Sequence, residues 1–241
     1  MARKRVTIDI ETFPNLIWAW GIHEQDAIAV EQHWQLASMA WKTFDKSGIS
    51  YASQQEMSEK KLAKVCWDVL NEADIIIGHN IKRFDKKKLN AKFMEFGLGP
   101  PSPYDVVDTL EQARKHFKFT SNRLGALAED LEVGHKLPNE GWSMWEGCMQ
   151  DDPKCWARMK RYNKTDVEVN DKIYEKMLPW IENHPEVNLL DGKRTCRCGS
   201  EHVVKNGLAV AGKTMKQRYR CEDCKAYLLG PMKDRAIEYG D

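Results

Sequence analysis

Val6-Thr7-Ile8-Asp9-Ile10-Glu11-Thr12 is a β-branched run that reads as a buried first strand. Side chains alternate across a strand, so Val6, Ile8 and Ile10 point one way while Thr7, Asp9 and Glu11 point the other. Asp9 and Glu11 then stand side by side, their Cα atoms about 7 Å apart by the strand rise. Like charges this close repel and raise each other's pKa unless a cation lies between them. A hard divalent cation held by oxygen ligands relieves the repulsion, which favours Mg²⁺ or Mn²⁺ over Zn²⁺. Standing alone, the pair would read as two solvated acids on an edge strand.

After the first strand, Phe13-Pro14-Asn15 makes a turn, and Leu16 to Ile22 and Ala27 to Glu31 read as two further strands of a meander. Trp18, Trp20, Trp34 and Trp41 read mostly as large core residues. Leu62, Val65, Cys66, Val69 and Leu70 fall at helical spacing and predict an amphipathic helix over 57–73. The continuous apolar run Ile75-Ile76-Ile77 fits a strand buried on both faces. Strand, helix and strand in this order argue a mixed α/β sheet.

Gly78-His79-Asn80-Ile81-Lys82-Arg83-Phe84-Asp85 follows that strand and opens a Lys-rich helix ending near Gly97 and Pro100. A third acid, Asp85, thus stands at a helix start just past a central strand, where ligands bind in α/β sheets. Its plainer reading is a helix N-terminal charge. Lys82, Arg83, Lys86, Lys87 and Lys88 form a basic cluster, by itself a solvated face, beside a metal site a contact for a phosphate backbone. Tyr104 to Thr109 reads as a strand, Leu110 to Phe117 as a helix, and Phe119 to Asn122 as the cap of a helix running through Leu131. Gly134 to Gln150 is loop-rich and reads as the border of a substrate cleft. From Lys154 the pattern is helical again, and Tyr162 and the fourth acid, Asp166, share one helix face a turn apart.

The chain of 241 residues has room for one sizeable domain and a small appendage, and 30% charged with 42% hydrophobic residues is ordinary for a globular protein. No apolar stretch is long enough to span a bilayer, and Arg3-Lys4-Arg5 runs straight into the first strand, so a cytosolic protein with no membrane partner is expected. Four of the seven cysteines cluster near the C-terminus, and the odd remainder, Cys66, Cys148 and Cys155, fits reduced thiols. The net charge of +1 hides an asymmetry: residues 192–241 carry 11 basic and 6 acidic side chains, and the rest of the chain is acidic.

Asp9-Ile10-Glu11, Asn80-x-x-x-Phe84-Asp85 and Tyr162-x-x-x-Asp166, in this order, resemble the three motifs of the DEDD superfamily of 3′-5′ exonucleases in its tyrosine-bearing branch. The resemblance covers Arg5 to Trp180 and is nearest to the proofreading domains of family B DNA polymerases. Gly78 to Thr109 and Phe117 to Leu127 also resemble stand-alone exonucleases encoded by bacteriophages, which would place the protein in a host cytoplasm. It implies a ribonuclease H-like α/β fold, a mixed sheet flanked by helices. It further implies that Asp9, Glu11 and Asp166 hold one Mg²⁺ or Mn²⁺, that Asp9 and Asp85 hold a second, and that Tyr162 orients the attacking water. Thr12 and Phe13 would lie against the terminal nucleotide and Asn80 would shape the cleft; the many lysines around Asp85 depart from other members of the branch and, with Lys82 and Arg83, read as stronger affinity for the backbone.

Beyond a linker at 183–194, Cys196-Arg197-Cys198 and Cys221-Glu222-Asp223-Cys224 are two cysteine pairs with the separation of a structural Zn²⁺ site. A domain this small needs the metal to hold it. Cys198-Gly199-Ser200, Val204 to Gly207 and Gln217 to Cys221 resemble the zinc ribbons of transposase-type proteins. Such ribbons open with Cys-x-x-Cys; here the first spacing is one residue shorter, and His202 is a candidate replacement ligand. Lys205, Lys213, Lys216, Arg218 and Arg220 with Tyr219 among them, uninterrupted by an acid, suit nucleic-acid binding, the alternative being a ribbon that packs on protein.

The expected organisation is an exonuclease domain over 1–182, a linker and a basic zinc ribbon over 195–241. The expected activity is two-metal hydrolysis of DNA from single-stranded or frayed 3′ ends, releasing 5′-mononucleotides, with replication or repair proteins as partners. RNA 3′-end trimming on the same fold is the enzymatic alternative, and a non-catalytic nucleic-acid-binding module the other.

Overall fold

The computed structural model describes residues 3–21, 23, 26–44, 46–135, 137, 141–185, 195–211 and 214–233. Residues 186–194, most of the expected linker, and Lys213 lie outside them. The chain divides into two compact units, Lys4–Tyr174 and a second that takes in the residues from Glu175 onward.

The larger unit is built on a five-stranded sheet. Its strands are β1 (Arg5–Phe13), β4 (Gln35–Thr43), β5 (Ser50–Ser53), β6 (Ile75–Gly78) and β7 (Asp105–Asp108), and between the first two lie β2 (Leu16–Trp18) and β3 (Ala29–Gln32). The sheet order is β5-β4-β1-β6-β7, with β4 antiparallel to both β1 and β5, and β6 parallel to both β1 and β7. Strand β1 is therefore central, as its β-branched sequence demands. One face carries Val6, Ile8, Ile10, Leu36, Met39 and Ile76 against Leu62, Cys66 and Leu70 of α1 (Glu59–Glu72) and Leu89 and Phe93 of α2 (Asp85–Glu95). Helices α3 (Thr109–His116), α4 (Leu124–Asp130) and α5 (Trp142–Met149) follow β7, and the long α6 (Pro153–Met177) covers the opposite face, where Thr7 Oγ1 donates to Asp171 Oδ1 at 2.8 Å. This is the expected mixed sheet flanked by helices.

Three expectations are corrected. β2 and β3 form a separate two-stranded sheet, and the meander partners of β1 are β4 and β5, which carry too many Ala, Ser and Lys residues to announce themselves. Trp18 and Trp20, expected in the core, are 61% and 86% exposed. The segment expected as loop contains α5, whose Gly147 lets it settle on α6: a Cβ there would meet Cys155 Sγ at 2.2 Å.

In the second unit β8 (Val203–Ala211), β9 (Thr214–Cys221) and β10 (Tyr227–Lys233) form an antiparallel sheet in the order β10-β9-β8. Its core is Cys196, Cys221 and Ala226, with Cys198, Cys224, Val203 and Leu228 against them. No described helix is long and apolar enough to cross a membrane.

Candidate active site and metal centre

Asp9 and Glu11 lie on the α6 side of β1, opposite Ala40 and Ser38 of β4. The register of β1 against β4 slips between Glu11 and Thr12, a bulge at the strand end that re-aims side chains. Asp166 reaches the same place from α6, 3% exposed. Carboxylate oxygens of Asp9, Glu11 and Asp166 lie within 4.8 Å of one another. Three acids held this close, from a strand and a helix brought together by tertiary packing, fit a hard divalent cation as their common counter-charge. Tyr162 lies one turn earlier on α6, 7% exposed, its ring edge-on to Trp145 with centroids 6.0 Å apart.

Asn163, fully buried, orients this set. Its Nδ2 donates to Asp9 Oδ2 at 2.6 Å and to the Asp9 carbonyl at 3.1 Å, while its Oδ1 accepts from Ser38 Oγ at 3.1 Å. Further along the same helix, Asn170 Oδ1 accepts from Thr109 Oγ1 at 2.7 Å, and Asp171 pairs with Lys42 as well as Thr7. Sequence reading missed Asn163, Asn170 and Asp171. Their signal is the spacing of polar residues at 163, 166, 170 and 171, which puts them on one buried helix stripe.

Asp85 is not brought into the three-acid set. β1 outruns β6, whose pairing covers Arg5 to Thr7, and the free N–H of Ile10 beyond it donates to Asp85 Oδ1 at 3.2 Å. Asp85 is 4% exposed. Burial pushes its pKa up to about 7, with a smaller push from Asp108, against the pull of the N–H groups of Asp85 and Ile10.

The turn before Asp85 is held by Asp108, which the sequence offered only as a strand residue. Its carboxylate accepts from the backbone N–H groups of Asn80 (2.9 Å), Lys82 (3.1 Å), Leu110 (3.0 Å) and Glu111 (3.4 Å), capping α3 and tying β7 to the β6–α2 turn. Asn80 sits there at φ 62°, and a Cβ on Gly78 would meet Ile81 at 2.7 Å. His79 Nδ1 lies 3.0 Å from Thr109 Oγ1.

Beside Tyr162 a cleft of about 880 Å³ is lined by His79, Asn80, Arg114, Asn122, Arg123 and, from the segment expected to border it, Leu137. Asn80 is thus at the cleft. Thr12 is half-buried. Phe13 is corrected to a core residue: it is 4% exposed, edge-on to Trp156 at 5.8 Å, which leaves almost none of the ring for a nucleotide. Of the basic cluster, Lys82 pairs with Glu111, Lys86 stands 5.4 Å from the Tyr104 ring and Lys88 3.7 Å from that of Trp34. Arg83 is exposed beside Asn80 and Arg114. Arg114 lies in α3 and Arg123 at the N-cap of α4, outside the three acid-bearing motifs, so the motif spacing could not find them.

In the second unit the Sγ atoms of Cys196, Cys198, Cys221 and Cys224 lie within 4.8 Å of one another, Cys196 to Cys224 at 3.4 Å and Cys198 to Cys221 at 3.8 Å. Four thiolates around Zn²⁺ at 2.3 Å stand about 3.8 Å apart, so the donor set fits that ion despite the short first spacing. His202 lies outside the set, exposed and facing Asp223 at 3.3 Å. Burial raises the Cys198 thiol to about 11; at Cys221 burial pushes the same way, but the N–H groups of Cys224 and Asp223 and further hydrogen bonds outweigh it and bring the thiol to about 7. Tyr219 is corrected: it is 6% exposed beneath Gly230, where a Cβ would meet its ring at 2.7 Å. Tyr227 of β10 is half exposed, with the guanidinium carbons of Arg218 and Arg220 at 5.5 and 6.0 Å from its ring centre. Lys205 pairs with Tyr219 across β8 and β9.

A family model described as RNase_H superfamily matches residues 7–178. The chain belongs to the ribonuclease H superfamily, and its activity is of the nuclease type. Among solved structures it is similar to the family B DNA polymerase from the hyperthermophilic archaeon Pyrobaculum calidifontis, with a TM-score of 0.57 and 18% identity. That likeness is one of fold; it covers 74% of this chain and 25% of the polymerase, so the chain spans only part of its relative's length. No curated protein matches in sequence.

Proposed function

We propose that the chain is a divalent-metal-dependent 3′-5′ exonuclease of the tyrosine-bearing DEDD type that degrades DNA from single-stranded or frayed 3′ ends. The observation that carries this reading is the convergence of Asp9, Glu11 and Asp166 within 4.8 Å, with Tyr162 one helical turn away. The likeness to a family B DNA polymerase agrees with it. When bound, a pair of divalent cations supplies an activated water and counter-charge for the departing 3′ oxygen. Asp9, Glu11 and Asp166 would hold one, and Asp9 with Asp85 would hold the other. Asn163 fixes the Asp9 carboxylate, Tyr162 donates a hydrogen bond that orients the attacking water, and Thr12 and Asn80 bound the terminal nucleotide. The reaction breaks the last phosphodiester and releases a 5′-mononucleotide. Cys196, Cys198, Cys221 and Cys224 hold one Zn²⁺, and Lys205, Arg218 and Arg220 of that ribbon add affinity for the strand.

A time course on 3′- and 5′-labelled single-stranded DNA, RNA and a primer–template tests it. Mg²⁺- or Mn²⁺-dependent shortening from the 3′ end, fastest on DNA and lost in Asp9→Ala, is expected. Endonucleolytic products, or shortening from the 5′ end, would overturn it.

A further inference from the structure

Two hollows adjoin at the mouth of the site. The cleft beside Tyr162 and a second hollow of about 290 Å³ share Asn80, Leu110 and Arg114, so their floors run on from one another as a trough along α3. Arg123 lines the end near Tyr162, Arg114 the middle, and Arg83 and Lys115 the far end. All four are exposed, and among the described residues none makes an ion pair. Lys115 and Arg114 also sit in the last turn of α3, where the helix dipole favours cations, but that placement does not account for Arg83 and Arg123 from other segments. Of the acids along the trough, Asp108 is buried and committed to four backbone N–H groups and Glu111 is paired with Lys82, which leaves Glu129 against four cations.

We propose that this trough carries the sugar–phosphate backbone of the strand behind the reacting nucleotide, with Arg114 and Arg123 as its phosphate contacts. The inference rests on the reading of Tyr162 as part of the active site. Planar guanidiniums donate paired hydrogen bonds to phosphate oxygens, and a track of them from several elements holds a strand irrespective of sequence. Of the lysines that the sequence put forward for this role, Lys82 is engaged with Glu111, Lys86 stands against Tyr104 and Lys88 against Trp34, while Lys87 is exposed on α2 and lines neither hollow.

The test is anisotropy titration of labelled thymidine oligonucleotides, 4 to 16 nucleotides long, in buffer without Mg²⁺ or Mn²⁺, with matched RNA in parallel. The wild-type protein is expected to bind more tightly with each added nucleotide until the trough is filled. Arg114→Ala with Arg123→Ala should weaken binding of a 12-mer about tenfold and cut the salt slope by about 1.4 for two lost phosphate contacts. Arg114→Lys with Arg123→Lys keeps the charges but loses the paired hydrogen bonds, so it should keep the salt slope and recover only part of the affinity, and Lys60→Ala with Lys61→Ala, on α1 and lining neither hollow, should leave it within about twofold. An unaltered length dependence and salt slope in the double-alanine protein would overturn the proposal, as would failure of the wild-type protein to bind either strand. Binding is read without chemistry, so a protein that binds through the trough but cleaves nothing contradicts only the exonuclease reading.

Discussion

Asn163 shows how much of the site rests on a residue that performs no chemistry. Its two hydrogen bonds to Asp9 and one from Ser38 hold the carboxylate against its own repulsion from Glu11 and Asp166. Asn163→Ala should lower cation affinity or cleavage about 10- to 100-fold with little change in fold, read by calorimetric Mn²⁺ titration and circular dichroism. Tyr162→Phe should instead slow cleavage about 10²-fold while Mn²⁺ affinity stays unchanged. Asp85 gives the pH dependence. Its folded-state pKa, about 7, lies above the unfolded value, so it contributes stability below about pH 4 that is lost as pH rises through 7. In Mg²⁺-free buffer, denaturant midpoints should fall from pH 4 to 8 more steeply in the wild type than in Asp85→Asn, and Mg²⁺ should offset the fall at the upper end. The neighbourhood of Asp9 with Glu11 and of Tyr162 with Asp166 was legible because strand alternation and helix spacing fix each pair locally. Asn163 was not, because its meaning depends on which strand lies beneath α6.

At the scale of elements, β1 could be read directly from its buried β-branched run, and α1 and β6 from apolar periodicity. β4 and β5 could not, since half-polar strands gain their place from the neighbour they pair with. The same limit hid α5, a short helix whose packing depends on Gly147. The β6–α2 turn, by contrast, has a single anchor that is directly testable. Asp108→Ala strands four backbone N–H groups and removes the cap of α3, and should cost about 2–4 kcal/mol in urea unfolding. Cleavage should fall with it as Asn80 loses its place, and Asp108→Asn, which keeps an acceptor, should recover part of both.

At the scale of the molecule, the basic excess of the tail and the acids of the body were visible in composition, but composition could not say which cations are free. Packing decides that: Lys88 and Lys92 stand against Trp34, and in the ribbon Tyr219 is buried while Tyr227 is half exposed. Its small core makes the ribbon dependent on its thiols. Cys221→Ser, or Zn²⁺ removal by a strong chelator, should raise hydrogen exchange across 196–229 and leave 4–174 protected. The most direct measurement of the nuclease site pairs Mn²⁺ titration with cleavage of a 3′-labelled strand by wild-type protein and Asp166→Ala. Loss of the cation and of cleavage together is the expected result. Cleavage that persists in the variant, or cation binding that is unchanged when cleavage is lost, would contradict the assignment of Asp9, Glu11 and Asp166 as one metal centre.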